Sequence, residues 1–240
     1  MAKAYFISDV HLGLESRERE RAKEERLVGF LDVVGRDGSE LFIVGDLFDA
    51  WFEYRTVIPK GFHRVITKLE DLTRSGVAVH YLAGNHDFWM REFFEEGLGM
   101  KIHREAFEIS VQGQRVFLHH GDGLAEHDGG YRLLRTVLRN RAAIWLYSWI
   151  HPDLGVVLAR ISSRRSRRHT SVKDYGAEDG MMRYAEGKIA QGCDIVIMGH
   201  RHKPSRLEIG RGVYINLGDW IAFNTFAVMD GGRIALEEWT

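Results

Sequence analysis

The 240-residue chain has a single cysteine, Cys193, and only 3 prolines. One thiol cannot close an internal disulfide, which excludes a disulfide-built scaffold, and its apolar neighbours Ile195, Val196 and Ile197 mark Cys193 as a buried, inert thiol. So few prolines beside 26 glycines exclude a proline-rich or low-complexity chain and point to a core with many tight turns. An excess of either charge is also missing, since the formal net charge is −1. No apolar run is long enough to cross a bilayer. The best candidate, Ala142 to Ala159, is interrupted by His151, Pro152 and Asp153, and a charge near a helix centre costs about 2.5–3.5 kcal/mol. The stretch before Asp9 is too short in apolar residues for a secretory signal, so a cytoplasmic protein is expected.

What is present is a hydrophobic fraction of 45%, enough for one substantial core, and we expect a single domain over residues 1–240. The near-zero charge hides a segregation. Tyr131 to Lys173 carries ten cations, among them Arg139 and Arg164 to Arg168, against Asp153 alone, which is +9 and leaves −10 elsewhere. Such segregation implies a local anionic partner for this segment, while the acidic remainder would repel a long nucleic-acid backbone.

Apolar runs rich in β-branched and aromatic residues recur at Tyr5 to Ile7, Leu41 to Val44, Val77 to Leu82, Arg115 to Leu118 and Ile195 to Met198, and read as buried strands. Ser16 to Gly35 and Lys60 to Ser75 carry helix-like apolar spacing between the first three, so an α/β sheet is expected. Short strand candidates at Arg206 to Ile209, Gly212 to Leu217, Thr225 to Met229 and Arg233 to Trp239, parted by glycine turns, read as an antiparallel meander. Between Leu124 and Gln191 there is no convincing strand, and this stretch reads as an inserted helical lid.

The five buried strand candidates all run into metal-binding residue types: Asp9-Val-His11, Gly45-Asp-Leu-Phe-Asp49, Gly84-Asn-His-Asp87, His119-His-Gly-Asp122 and Gly199-His-Arg-His202. The carboxyl ends of strands are where open α/β sheets build their sites. Hard Asp and Asn oxygens mixed with His nitrogens suit Mn²⁺, Fe or Zn²⁺ rather than Ca²⁺. In Asp9-x-His11 and His200-x-His202, strand alternation would send both side chains to one side. A lone Gly-Asp is usually a turn and a lone strand-end His a core or surface residue, so the weight rests on the combination.

That combination, Asp-x-His, Gly-Asp-x-x-Asp, Gly-Asn-His-Asp, His-Gly-Asp and Gly-His-x-His from Asp9 to His202, resembles the calcineurin-like metallophosphoesterase superfamily. The resemblance implies an α/β/β/α sandwich with the lid inserted at about 124–191, and two divalent ions, Mn²⁺ before Fe or Zn²⁺. It implies one ion on Asp9, His11, Asp46 and His202 and a second on Asp46, Asn85, His120 and His200. His86 would contact the scissile phosphate as electrostatic stabiliser or general acid, and Asp49 would orient a ligand histidine. His119 should point away, into the core or behind the site.

Gly45 to Trp51, His120 to Leu124 and Asp128 to Arg132, with the lid, are similar to the UDP-2,3-diacylglucosamine hydrolases of lipid A biosynthesis. That likeness implies a lipid-linked nucleotide sugar as substrate, with Asp128, Tyr131 and Lys173 as lid-side contacts. The lid also interleaves cations with Leu133, Leu134, Val137, Leu138, Ile144, Trp145, Tyr147, Trp149 and Ile150, which suits acyl chains, phosphates and peripheral contact with an anionic inner-membrane surface. The competing reading packs these residues against the core and leaves the arginines in solvent. Known members of that branch carry arginine where this chain has His86, so a soluble phosphatase or phosphodiesterase acting on a nucleotide or phosphoprotein is the alternative. A non-catalytic scaffold would be expected to have lost ligands, and here each expected position is filled.

Overall fold

The computed structural model describes residues 2–124, 136–170 and 180–240, apart from the side chains of residues 160 and 164–170. Asp128, Tyr131 and Lys173, expected to touch substrate, lie outside the described residues, as do the side chains of Arg164 to Arg168. Strands β1 (Lys3–Ile7), β2 (Gly38–Val44), β3 (Ala78–Leu82) and β4 (Lys101–His103) run parallel, and β10 (Thr225–Asp230) and β11 (Arg233–Glu238) extend this sheet antiparallel in the order β11-β10-β1-β2-β3-β4. A second sheet has the order β5 (Phe107–Val111), β6 (Gln114–His119), β7 (Ile195–Met198), β9 (Gly212–Asn216) and β8 (Ser205–Ile209).

The sheets pack face to face because alternate residues of each strand are apolar toward the interface: Ala4, Phe6, Phe42, Val44 and Leu82 meet Val116, Leu118, Ile195, Ile197 and Ile215. Phe6 and Phe42 stack at 4.8 Å in that layer. The outer face of the first sheet is covered by α1 (Arg17–Asp37) and α2 (His63–Arg74), through Leu27, Phe30, Leu31, Val34, Val65, Leu69 and Leu72. The outer face of the second is covered by α5 (Gly180–Ala190), through Met181, Ala185 and Ile189. The α/β/β/α sandwich is therefore the observed architecture.

Three features differ from the sequence reading. The tail is two hairpins split between the sheets rather than one meander: β8 and β9 close the second, while β10 and β11 edge the first. Helix α5 lies within the stretch read as the insertion yet packs on the sandwich, because its Met181, Ala185 and Ile189 share one apolar face. Strands β4 and β5 escaped the pattern, the first being three residues long; a turn at Gln112 and Gly113, both at positive φ, joins β5 to β6. The described part of the insertion is helical, with α3 (Arg141–Tyr147) and α4 (Pro152–Thr170) separated at the Ser148 to His151 break. Among the described residues no helix is long and apolar enough to cross a membrane.

Candidate metal centre

All five motifs meet at one end of the sandwich, where β1, β2, β3, β6 and β7 terminate. The ligand-type residues lie just past the strands, and the backbone there is not extended. Asp9, His11, Asp46, His200 and His202 have φ of 53°, 48°, 54°, 69° and 57°. Left-handed backbone is uncommon outside glycine, costs of order 1–3 kcal/mol per residue, and clusters at functional sites. The expectation that Asp9/His11 and His200/His202 share a side through strand alternation is thus corrected. They converge because each pair sits in a left-handed loop that turns both side chains inward. Backbone bonds hold these loops: Asp9 N–H donates to Gly45 O (3.2 Å), His11 N–H to Asp46 O (3.0 Å) and Trp220 N–H to Asp9 O (3.2 Å).

The motif glycines make room. Gly45 takes φ 84°, and a Cβ there would collide with the His120 ring, while a Cβ on Gly84 would collide with the Asp46 carboxylate.

Asp46 is the hub. Its Oδ2 lies 3.3 Å from His120 Nε2, 3.6 Å from His11 Nε2 and 4.0 Å from His86 Nε2, and its Oδ1 accepts from His86 N–H at 2.9 Å. Asp9 Oδ1 lies 3.7 Å from His11 Nε2 and 3.6 Å from His202 Nε2, while Oδ2 accepts from His200 N–H at 2.8 Å. Asn85 Oδ1 is 3.0 Å from His120 Nε2. Three groups have donor atoms mutually within 4.8 Å: Asp9, His11 and His202; His11, Asp46 and His86; Asp46, His120 and His200. All seven expected ligands, with His86, are therefore brought together.

Charge bookkeeping shows what such a cluster demands. Burial opposes ionisation of Asp9, and His202 and His11 outweigh it, taking the pKa to about 2. Burial likewise opposes Asp46, and His120 and His86 hold it well below the carboxylate range. Burial opposes a charge on His11, yet Asp49, Asp9 and Asp46 lift its pKa to about 9. Burial and His120 lower His200 to about 4. Buried carboxylates that recruit protons onto histidines would be served equally by cations. Asp9 Oδ1 and both His11 ring nitrogens are fully buried with no hydrogen-bond partner, which a protein interior tolerates poorly unless another group takes them up. Oxygen and imidazole donors of this kind fit a divalent transition-metal ion.

Several of these histidines are set by a partner behind them. His120 Nδ1–H donates to Val44 O at 2.9 Å. His86 Nδ1–H donates to Asp49 O at 3.0 Å, which aims Nε2 at the centre; burial lowers its pKa and Asp46 opposes that. Asp49 Oδ1 lies 3.6 Å from His11 Nδ1 and 3.9 Å from His86 Nδ1, in the orienting place expected of it. His119 faces the other way, taking Gly121 N–H on Nδ1 at 2.7 Å and packing on Tyr184.

Three supporting residues escaped the sequence reading. Asp219 Oδ2 takes His202 Nδ1–H at 3.2 Å, and its Oδ1 caps the N–H groups of Ile221, Ala222 and Phe223. Fully buried Lys23 donates to His11 O at 2.8 Å, with Glu20 at 3.3 Å. Asp87 ties two motif loops together by accepting from the Asp46, Phe48 and Gly84 N–H groups and the Tyr81 hydroxyl, and burial beside Asp46 raises its pKa to about 6. The Asn216-Leu-Gly-Asp-Trp220 run was the one available signal for Asp219. Lys23 sits in a charged helix where nothing marks it.

The lid stands beside this centre. Tyr147 packs at a tilt between Phe52 (4.7 Å) and Trp89 (4.6 Å), and its hydroxyl donates to Gly155 O at 2.6 Å. Trp89 Nε1–H donates to Leu138 O at 3.0 Å. Arg139 Nη2 reaches Gly84 O at 3.4 Å, on the loop of Asn85 and His86. Several large apolar side chains of this segment are exposed: Trp149, just past α3, is 75% exposed, Leu146 62% and Trp145 59%, and Leu154, Val157 and Ile161 of α4 are exposed as well.

A family model described as calcineurin-like phosphoesterase matches residues 2–204. A UDP-2,3-diacylglucosamine hydrolase of Porphyromonas gingivalis is 35% identical over 98% of this chain and 97% of the relative. Proteins of the same name are 28% identical in Aeromonas salmonicida, over 98% and 92%, and 32% identical in Pseudomonas putida, over 90% and 90%. Among solved structures, an archaeal phosphodiesterase aligns over 98% of this chain and 99% of its own with a TM-score of 0.52 at 13% identity, a likeness of fold.

Proposed function

This chain belongs to the calcineurin-like phosphoesterase family and is a metal-dependent hydrolase, and from that premise we propose that it cleaves the pyrophosphate of UDP-2,3-diacylglucosamine into UMP and the lipid monophosphate. The observation that carries the substrate is the lid: α4 lies against the centre on one face while Leu154, Val157 and Ile161 on its other face, with Trp145 and Leu146 of α3 and Trp149 just beyond it, remain exposed. Exposed large apolar residues gathered on one segment favour a binding surface over core packing. Among the described residues the competing expectation, with these side chains packed on the core, fits the half-buried Leu138, Ile144, Tyr147 and Ile150 but not Val137, Trp145 and Trp149.

We assign Asp9, His11, Asp46 and His202 to one ion and Asp46, Asn85, His120 and His200 to a second, with Mn²⁺ first in expectation. Two such ions clamp a phosphoryl group and lower the pKa of an attacking water. The protein's own part is orientation and charge. Asp46, central to both donor groups, fixes their spacing. His86, with Nδ1–H committed to Asp49 O, turns Nε2 toward Asp46 at 4.0 Å, where it would be placed to contact a bound phosphate. Arg139, held at Gly84 O and 3.9 Å from Asp122, keeps a cation on the rim. The lid's tryptophans and the +9 charge of its Tyr131 to Lys173 stretch support peripheral contact with an anionic membrane surface.

Release of UMP from UDP-2,3-diacylglucosamine by the Mn²⁺-loaded protein, with bis-p-nitrophenyl phosphate alongside, tests the assignment. Turnover of the lipid far above the diester supports it. Diester turnover alone keeps the hydrolase and discards the lipid in favour of a soluble phosphoester.

A further inference from the structure

One face of α4 carries Gly155, Val156, Ala159 and Ser163, spaced by one, three and four residues and buried or half-buried against the sandwich. At the end of that face Ser163 Oγ–H donates to Asp49 Oδ1 at 2.7 Å, with both residues buried. The same Oδ1 lies 3.6 Å from His11 Nδ1 and 3.9 Å from His86 Nδ1, and the Asp49 carbonyl takes His86 Nδ1–H at 3.0 Å. The rings of His11 and His86 meet edge to face at 4.9 Å. A single carboxylate oxygen thus stands between a hydroxyl from the lid and the two histidines that face Asp46.

We propose that Ser163 is a positioning residue of the hydrolase, through which the seated lid completes the metal centre. The inference rests on the metal-dependent reading above. A carboxylate flanked by two imidazoles can rotate to favour either ring. A hydroxyl donated from one side fixes its plane, and a fixed carboxylate fixes the ring that it orients. A serine inside a helix ordinarily returns its hydroxyl to the backbone one turn earlier or to water. Here it bridges 114 positions of sequence to a buried anion. Tyr147 on Phe52 and Trp89 anchors the lid without touching the centre, and Arg139 reaches the Gly84 carbonyl beside it, whereas Ser163 meets a carboxylate next to two of its histidines. Because the bond joins lid and centre, its free energy is shared: seating the lid tightens metal binding, and metal binding by linkage steadies the lid helix by the same factor.

The test uses the full chain stripped of metal and retitrated with Mn²⁺, as wild type, Ser163→Ala and Ser163→Thr, with folding checked by thermal melting. For Ser163→Ala the expected result is Mn²⁺ binding weakened about tenfold, in line with removal of a partner behind a ligand, and kcat on bis-p-nitrophenyl phosphate lowered with KM within about twofold. Ser163→Thr, which keeps the hydroxyl, restores both. Amide exchange of residues 152–163 slows on adding Mn²⁺ in the wild type and does so less in Ser163→Ala. Wild-type Mn²⁺ affinity and kcat in Ser163→Ala overturn the proposal, as does lid-helix exchange in the wild type that ignores Mn²⁺, a readout that stands even if the alanine variant fails to fold. A wild type that binds Mn²⁺ and couples it to the lid but hydrolyses no phosphoester would sink the functional reading and leave this coupling intact.

Discussion

Lys23→Met removes a buried cation from behind the centre while keeping most of its stem volume. In the native chain its Nζ lies 2.8 Å from His11 O, 3.3 Å from Glu20 and 3.9 Å from Glu15. Burial lowers its pKa and Glu20 and Glu15 oppose that, so the ammonium is held by its partners against a desolvation cost. The methionine returns the desolvation cost but leaves the His11 carbonyl, on a left-handed residue, without its donor. An unsatisfied buried acceptor costs about 1–3 kcal/mol. Glu20 loses its cation but keeps the Gly13 and Glu15 N–H groups, and Glu15 keeps Arg19 at 3.9 Å, so they add less than the 3–5 kcal/mol of a fully buried broken pair. A net loss of about 2–3 kcal/mol follows, which at about 2–4 °C per kcal/mol lowers Tm by about 4–12 °C. Because His11 is the residue released, Mn²⁺ affinity should fall with it. Urea unfolding without metal and Mn²⁺ titration read the two effects separately. A change under about 0.5 kcal/mol with unaltered affinity would refute the view that Lys23 braces the His11 turn.

Asp219→Asn should weaken Mn²⁺ binding by about 10–100-fold by freeing the His202 ring, and calorimetric titration reads it; an unchanged affinity would make Asp219 a loop cap only. Chelation should lower Tm by about 5–11 °C from the value at 100 times the dissociation constant, since such saturation contributes about 2.7 kcal/mol, and a Tm indifferent to chelator would count against a resident ion. Burial lowers the His80 pKa from 6.5 to about 4, so the unfolded chain takes up a proton that the folded chain refuses, and this stability, full above pH 6.5, is lost as pH falls toward 4. His80→Phe, which keeps the stack on Phe42 at 4.6 Å, should flatten the decline in urea midpoint between pH 7 and pH 5; equal slopes would exclude His80 as its source.

The strands that carry the motifs were legible because buried strands read as apolar runs and each ended in Asp, Asn or His. The candidate ligand set came from the family resemblance that the five ends carry together. The backbone there was not legible: Asp9, His11, Asp46, His200 and His202 adopt φ of 48–69° only because the facing loops hold them, which no local pattern encodes. β4 was too short to show a period, and the tail hairpins could not be divided between sheets without knowing that β10 pairs with β1. Lys23, Ser163 and Asp87 act through partners between 3 and 114 positions away, a distance at which residue type alone says nothing. Composition did mark the lid as apolar, and the exposed Trp145, Leu146, Trp149, Leu154, Val157 and Ile161 agree.

The dinuclear centre is tested most directly by the Mn²⁺ stoichiometry of the purified chain, measured for wild type, Asp46→Ala and His86→Ala. Two ions per chain in wild type and His86→Ala, and fewer than two in a folded Asp46→Ala, is the expected outcome. Undiminished loading of Asp46→Ala would contradict the shared carboxylate, and loss of ions from His86→Ala would make His86 a ligand rather than a phosphate contact.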